Sequence, residues 1–166
     1  MKSKPNIRFA EIEDLPQVMS IFNQAIRAKV CGVLKEVTLE DRLDWFNSFD
    51  QNSYPIYVSE LNDKILGYCY LSPYRSGRQA MASIAEISYY IDYKAHRNGI
   101  ASELVQYAID DCNRLGKQSL LAVLLDINIP SIQLLEKFNF SLWGHYPSII
   151  DLDGQQCSQL IYGLKL

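Results

Sequence analysis

The stretch Ala85-Glu-Ile-Ser-Tyr-Tyr-Ile-Asp-Tyr-Lys-Ala-His-Arg-Asn-Gly-Ile-Ala-Ser-Glu-Leu104 constrains this chain more than any other. An apolar strand pattern runs into a basic, glycine-bearing turn, and the turn opens an amphipathic helix. That order sets free backbone N–H groups and a positive helix end where phosphate oxygens can sit. Glu86 stands at the strand's entrance, a short reach from whatever the turn holds. A phosphate cradle beside a carboxylate points to a site that anchors a nucleotide-like cofactor and moves a proton next to it.

The flanking segments place this unit in a mixed sheet. Ile7–Ala10 alternates as a short strand, and Asp14 is expected to cap a helix whose stripe is Leu15, Val18, Met19, Phe22 and Ile26. Thr38 and Asp41 form a capping-box pattern ahead of a second helix running to about Ser48, with Leu39, Leu43 and Phe46 as its apolar face. Ile56–Leu61 and Ile65–Leu71 read as strands joined through Asn62-Asp63, and 72–81 as a loop. The central strand is expected over Ile84–Tyr93 and its helix over Asn98–Leu115, stopped by Gly116. Ser119–Leu125 is almost wholly apolar, which predicts a strand buried on both faces. Asn128 caps a short helix with Pro130 in its first turn, and Ser141–Ile150 and Gln155–Lys165 flank a tight Asp153-Gly154 reversal. The pattern predicts an α/β fold: a mixed, mostly antiparallel sheet of about seven strands with about four helices, in one domain over 1–166.

Composition narrows the function. With 48% apolar and 21% charged residues, the chain can bury a core and is not of the disordered class. No apolar run approaches the roughly 20 residues that span a bilayer. The opening Met1-Lys-Ser-Lys-Pro5 leads into no apolar signal region, so a cytoplasmic setting with no membrane partner is expected. A net charge of −3 argues against nucleic acid as a partner. The four cysteines have no short spacing and only two histidines accompany them, so reduced thiols and no metal site are expected.

At His96-Arg-Asn-Gly-Ile-Ala101 the chain resembles the Gcn5-related N-acetyltransferases, which carry Gln/Arg-x-x-Gly-x-Gly/Ala at a strand-to-helix turn. Gly99 and Ala101 match, and His96 stands in the Gln/Arg slot. A second match follows: Asn128-Ile-Pro-Ser131, Leu134, Glu136-Lys137 and Phe138-Asn-Phe140 resemble the family's Asn-x-x-Ser…Leu-x-Glu-Lys-x-Gly-Phe segment, with Asn139 in the glycine position. Arg78-Gln-Ala80, Ala85-Glu86 and the late Asp-Gly reversal resemble the phosphinothricin N-acetyltransferase branch, with Met81 where a tyrosine is common. The resemblance implies acetyl-CoA as cosubstrate, a small amino-acid-like amine as acceptor, direct attack in a ternary complex, and a homodimer.

Residue by residue, the resemblance makes Glu86 the catalytic base; the alternative is an edge-of-strand Glu in solvent. It makes Arg97, Asn98, Gly99, Ile100, Ala101 and Ser102 the pyrophosphate cradle, and Tyr89, Tyr90 and Ile91 the backbone partner of the pantetheine arm. Asn128 is either a cofactor contact or a helix cap, and Lys137 either a charge near the cofactor or a solvated lysine. Arg75 and Arg78 either clamp an acceptor carboxylate or are surface arginines. Leu135 stands where many relatives carry a Tyr or His able to protonate the departing thiolate. A second reading is therefore open, a non-catalytic acyl-CoA sensor. A polyamine, an aminoglycoside or a protein N-terminus are the alternative acceptors.

Overall fold

A computed structural model describes residues 4–166, so Met1, Lys2 and Ser3 of the basic opening segment lie outside the described residues. Seven strands form one sheet: β1 (Asn6–Phe9), β2 (Ile56–Leu61), β3 (Lys64–Pro73), β4 (Ile84–Ile91), β5 (Ser119–Leu125), β6 (Ser141–Leu152) and β7 (Gln155–Lys165). Their spatial order is β1-β2-β3-β4-β5-β7-β6. With them, among the described residues, are four α-helices: α1 (Leu15–Arg27), α2 (Leu39–Asn47), α3 (Ile100–Asp111) and α4 (Ile129–Lys137). Every neighbouring pair is antiparallel except β4 with β5. α3 is the crossover that this one parallel pair requires. No described helix is long and apolar enough to cross a membrane.

Alternation along the strands sorts side chains onto two faces. Ala85 and Ile87 of β4, with Tyr57, Cys69, Leu71, Leu120 and Ala122, form a core with Leu104, Val105 and Ala108 of α3. On the other face Val58, Tyr68 and Tyr90 pack on Val18, Ile21, Phe22 and Ile26 of α1. Each Val, Leu, Ile or Phe among them, fully buried, contributes about 1.5–3 kcal/mol. The predicted stripe of α1 holds at Leu15, Val18, Phe22 and Ile26 and is widened by Ile21 and Ala25, while Met19 is only half-buried.

Several local expectations need correction. Asp14 makes no side-chain cap; its carboxylate accepts from Arg8 at 2.7 and 2.9 Å and from the Glu11 N–H at 2.8 Å. The chain enters α1 through a 3₁₀ turn, which turns Asp14 back towards β1. In α2, Leu39 and Leu43 are 48% and 43% exposed. Trp45, Phe46 and Phe49 are the residues that pack inwards, against the core under α1. The sheet offers aromatic partners to that face of α2, and ring packing overrides the leucine spacing. β4 ends at Ile91, because Asp92 accepts the Lys94 N–H at 3.0 Å and starts a 3₁₀ turn. α3 begins only at Ile100, and 79–81 form a 3₁₀ turn inside the predicted loop. Val123 of β5 is exposed, so that strand is not buried on both faces. Asn139 takes φ 64° at the end of α4, the left-handed conformation a helix stop favours.

Candidate active site

β4 and β5 pair only over Ile84–Glu86 against Ser119–Leu121 and then part. Glu86 therefore sits at the apex of an opening in the sheet. Beyond it the two strands have different neighbours: β4 continues along β3, and β5 along β7. The phase of the β3–β4 ladder says which backbone groups face the opening. The Asp92 N–H bonds the Leu66 carbonyl at 2.9 Å, so by alternation Tyr90 bonds Tyr68 and Ser88 bonds Tyr70. Ile87, Tyr89 and Ile91 then direct their N–H and C=O groups away from β3. Tyr90's backbone is turned to β3, so the outward-facing pair in the Tyr89–Ile91 segment is Tyr89 and Ile91. The Ile91 carbonyl already meets a His96 ring nitrogen at 3.1 Å.

A cleft of about 540 Å³ opens at this part of the sheet, between β4, the starts of α3 and α4, and α1. Tyr89, Tyr90, Ile91, Arg97, Gly99, Ile100, Ala101, Ser102 and Asn128 all line it. Its floor is a helix N-terminus with free donors. The first bond of α3 runs from Glu103 N–H to the Gly99 carbonyl at 3.0 Å, which leaves the N–H groups of Ile100, Ala101 and Ser102 without intrahelical partners. Arg97 and Gly99 take φ 64° and 80°, and left-handed residues at such a turn curl successive N–H groups towards one point. A Cβ at Gly99 meets nothing within 4 Å, so the space above the turn is open. The cradle is seated by Gly67 of β3, where a Cβ would stand 2.6 Å from Ile91 Cδ1 and 3.3 Å from Ile100 Cγ2. Sequence reading has no argument for that glycine, since the approach exists only once α3 lies on the sheet.

Asn98 stays out of the cleft wall: its amide donates to the Ala95 carbonyl at 3.2 Å. Asn128 is a cap, accepting the Ser131 N–H at 3.4 Å, and also lines the cleft. Both of its open readings are thus compatible with its place. Lys137 lies outside the cleft wall but donates to Ser102 Oγ at 3.2 Å, tying the end of α4 to the start of α3. Leu135 is wholly buried in the α3-side core. Near α4, Tyr89 and Ser131 both line the cleft, and their hydroxyls lie 2.6 Å apart; burial pushes the Tyr89 phenol up to about 12.

Glu86 shares a sheet face with Ser88 and Tyr90, the face that α1 covers. It is half-buried, and burial pushes its carboxyl above the ordinary glutamate range. Arg75 and Arg78 are exposed in the connection that enters β4 just before Glu86, and neither is ion-paired among the described residues. Arg42 of α2, which carries no assignment from sequence, lies over the rings of Phe22 and Trp45 on the Glu86 face. Its three-residue spacing to Trp45 was the available signal. A second hollow, about 560 Å³, lies by β1 and the end of α2, but its guanidinium, Arg8, is already bonded to Asp14 and Glu60.

The model of the acetyltransferase (GNAT) family matches residues 17–140. The chain belongs to the GNAT acetyltransferase family. Among its GNAT relatives, a Bacillus subtilis (strain 168) protein named "Putative phosphinothricin acetyltransferase YwnH" is 36% identical over 96% of this chain and 98% of its own length. The L-methionine sulfoximine/L-methionine sulfone acetyltransferase of Salmonella typhimurium is 27% identical over 86% of this chain and 84% of its own. The solved structure of yncA from Salmonella typhimurium, with its cofactor acetyl-CoA, is 26% identical and superposes with a TM-score of 0.92, covering 99% of this chain and 95% of that one. The fold is thus that of a GNAT N-acetyltransferase, and the protein is an enzyme of that kind.

Proposed function

We propose that this GNAT enzyme transfers an acetyl group from acetyl-CoA to the primary amine of a small amino-acid-like acceptor, by direct attack in a ternary complex. The observation that carries this reading is a carboxylate at the apex of the parted strands, with a phosphate cradle at their wide end. The free N–H groups of Ile100, Ala101 and Ser102, with Arg97 beside them, fit a pyrophosphate. The outward N–H and C=O groups of Tyr89 and the N–H of Ile91 fit an amide-bearing arm running towards Glu86.

An α-amine is protonated at neutral pH and must lose that proton before it attacks. Glu86, ionised and held above its ordinary pKa, accepts it directly or through a water, an effect of roughly 10²–10⁴ in rate. The amine nitrogen then bonds the acetyl carbon, the carbon–sulfur bond breaks, and the electron pair leaves on sulfur. A thiol pKa near 8.5 makes that thiolate a tolerable leaving group, and Tyr89, which lines the cleft, is the phenol assigned to donate to it. Leu135, sealed in the core, takes no part. Arg75 and Arg78 border the acceptor end, where one charge-assisted bond to a carboxylate is worth about 1.5–3 kcal/mol.

The names of the relatives favour acceptors such as phosphinothricin and methionine sulfone. The reaction suits the cytoplasm, where thiols stay reduced. The edge strand β6 exposes Leu142, Trp143, Tyr146 and Ile149, an apolar surface suited to a second copy. Sedimentation equilibrium is expected to give a dimer, and a monomer at all concentrations contradicts that part of the reading.

Thiol release from acetyl-CoA, assayed over a panel of amino acids and their decarboxylated amines, tests the activity. Release with amino acids, and intersecting initial-velocity lines, are expected. Binding of acetyl-CoA without release for any amine would instead favour the sensor reading, and parallel lines would overturn direct attack.

A further inference from the structure

We propose that Arg42 recognises the distal, oxygen-bearing end of the acceptor's side chain (a phosphinate, sulfone or carboxylate), across an aromatic box from Glu86. This rests on the reading of the protein as an amino-acid N-acetyltransferase. The Arg42 guanidinium carbon lies 4.1 Å from the centroid of Phe22 and 4.7 Å from that of Trp45. Two aromatic faces fix the planar group and leave its N–H edge for a ligand. That edge has no hydrogen-bond or ion-pair partner among the described residues. Arg8, the other half-buried arginine of comparable setting, spends its donors on Asp14 and Glu60. A half-buried cation held by rings and lacking an acidic partner is placed to receive an anionic or strongly dipolar oxygen.

Its position relative to Glu86 selects which oxygen. Trp45 meets Tyr70 with centroids 5.4 Å apart, and Phe22 meets Tyr90 at 5.0 Å. Tyr68 stacks between them, 6.2 Å from Tyr70 and 5.4 Å from Tyr90. In the β3–β4 register Ser72 faces Glu86, Tyr70 faces Ser88 and Tyr68 faces Tyr90, so the rings and Glu86 share one face. Ser88 and Tyr90 lie two and four residues past Glu86, about 7 and 13 Å along the strand at roughly 3.3 Å per residue. The Arg42 edge and the Glu86 carboxylate are thus separated by on the order of 10 Å. With hydrogen bonds of about 2.9 Å at each end, that separation matches the length of a short linear side chain. An α-carboxylate, only two bonds from the amine, falls short of Arg42 and is left to the loop of Arg75 and Arg78. The rings between suit the methylenes of such a chain, and both relatives' named acceptors carry an oxygen-bearing head at its end.

The test compares L-methionine sulfone with L-norleucine, an acceptor of similar length without the oxygens, in the wild type, Arg42→Met and Arg42→Lys. The wild type is expected to favour the sulfone by roughly ten- to a hundredfold in kcat/KM. Arg42→Met brings that ratio near one, chiefly through the sulfone's KM, while norleucine turnover changes far less and acetyl-CoA affinity holds. Arg42→Lys, which keeps the charge but not the fork, restores part of the preference. A variant with wild-type melting temperature and an unchanged ratio overturns the proposal, as does an equal loss for both acceptors, which marks a packing role. Calorimetric titration of the sulfone separates the two readings. Arg42-dependent binding without acetylation defeats the enzymatic reading and keeps this one. Acetylation with Arg42-independent binding does the reverse, and no binding to the wild type defeats this one.

Discussion

The proposed cofactor corner and the proposed acceptor face of this protein are built in opposite ways. The corner is one short stretch, 97–102, whose working groups are backbone N–H groups at the start of α3. The acceptor face gathers Phe22, Arg42, Trp45, Tyr70, Glu86 and Tyr90 from two helices and two strands, and its working groups are side chains. A backbone site depends on local conformation, so a few residues specify it. A side-chain site depends on which elements the fold brings together. The difference predicts separable failures: damage to the corner should weaken cofactor affinity, and damage to the face should change chemistry or choice of acceptor.

Glu86→Gln should give the largest effect, a loss of roughly 10²–10⁴ in turnover near neutral pH with acetyl-CoA affinity nearly unchanged. Steady-state kinetics and calorimetry on the same sample check both halves, and a parallel loss of affinity would join the two regions that the comparison separates. Next, Gly99→Val should weaken acetyl-CoA binding by at least about tenfold, since a branched side chain enters the open cradle and strains a left-handed residue by about 1–2 kcal/mol. It should still fold, because no atom lies within 4 Å of an added Cβ; normal affinity in the folded variant would move the pyrophosphate elsewhere. Lys137→Met sharpens the boundary. It removes a surface bond to Ser102, so a severalfold loss of acetyl-CoA affinity is expected, with no change in acceptor preference.

The same contrast explains what was legible in the chain. The strand, turn and helix within 85–104 were legible directly, because glycine at a left-handed position and a helix start are local requirements. The sheet was legible from alternation and from turns such as Asn62-Asp63, which take φ 51° and 60°. The place of Glu86 on the strand before the turn was legible, but its position at the point where β4 and β5 part needed the register of both strands. The helix α2, its capping box and its inward Phe46 were legible, but Leu39 and Leu43 were misassigned to its inner face, because leucines at helical spacing count equally whichever way the helix faces. The tyrosines of β3 and β4 decide that orientation, and only the fold brings them beneath α2. Arg42 went unseen for the same reason, as did Gly67.

The smallest expected effect is on stability. Burial raises the pKa of Glu86 in the folded state, so its ionised form costs stability at neutral pH. The contribution favouring the fold is complete below the unfolded glutamate value of about 4.3 and is lost as pH rises through the raised folded value. Glu86→Gln should therefore melt slightly higher than the wild type at pH 7 and alike below about pH 4. A variant that melts lower at pH 7 would mean that the carboxylate has a stabilising partner.

The pH dependence of kcat/KM with methionine sulfone, measured for the wild type and Glu86→Gln together, bears most directly on the role of the apex carboxylate. The wild type should lose activity as pH falls through a carboxyl ionisation above the ordinary glutamate range. The variant should lack that limb and rise steadily with pH, as the acceptor amine deprotonates unaided, so that the two curves converge in alkali. Parallel profiles with the same acidic limb in both would show that Glu86 is not the group that takes the proton.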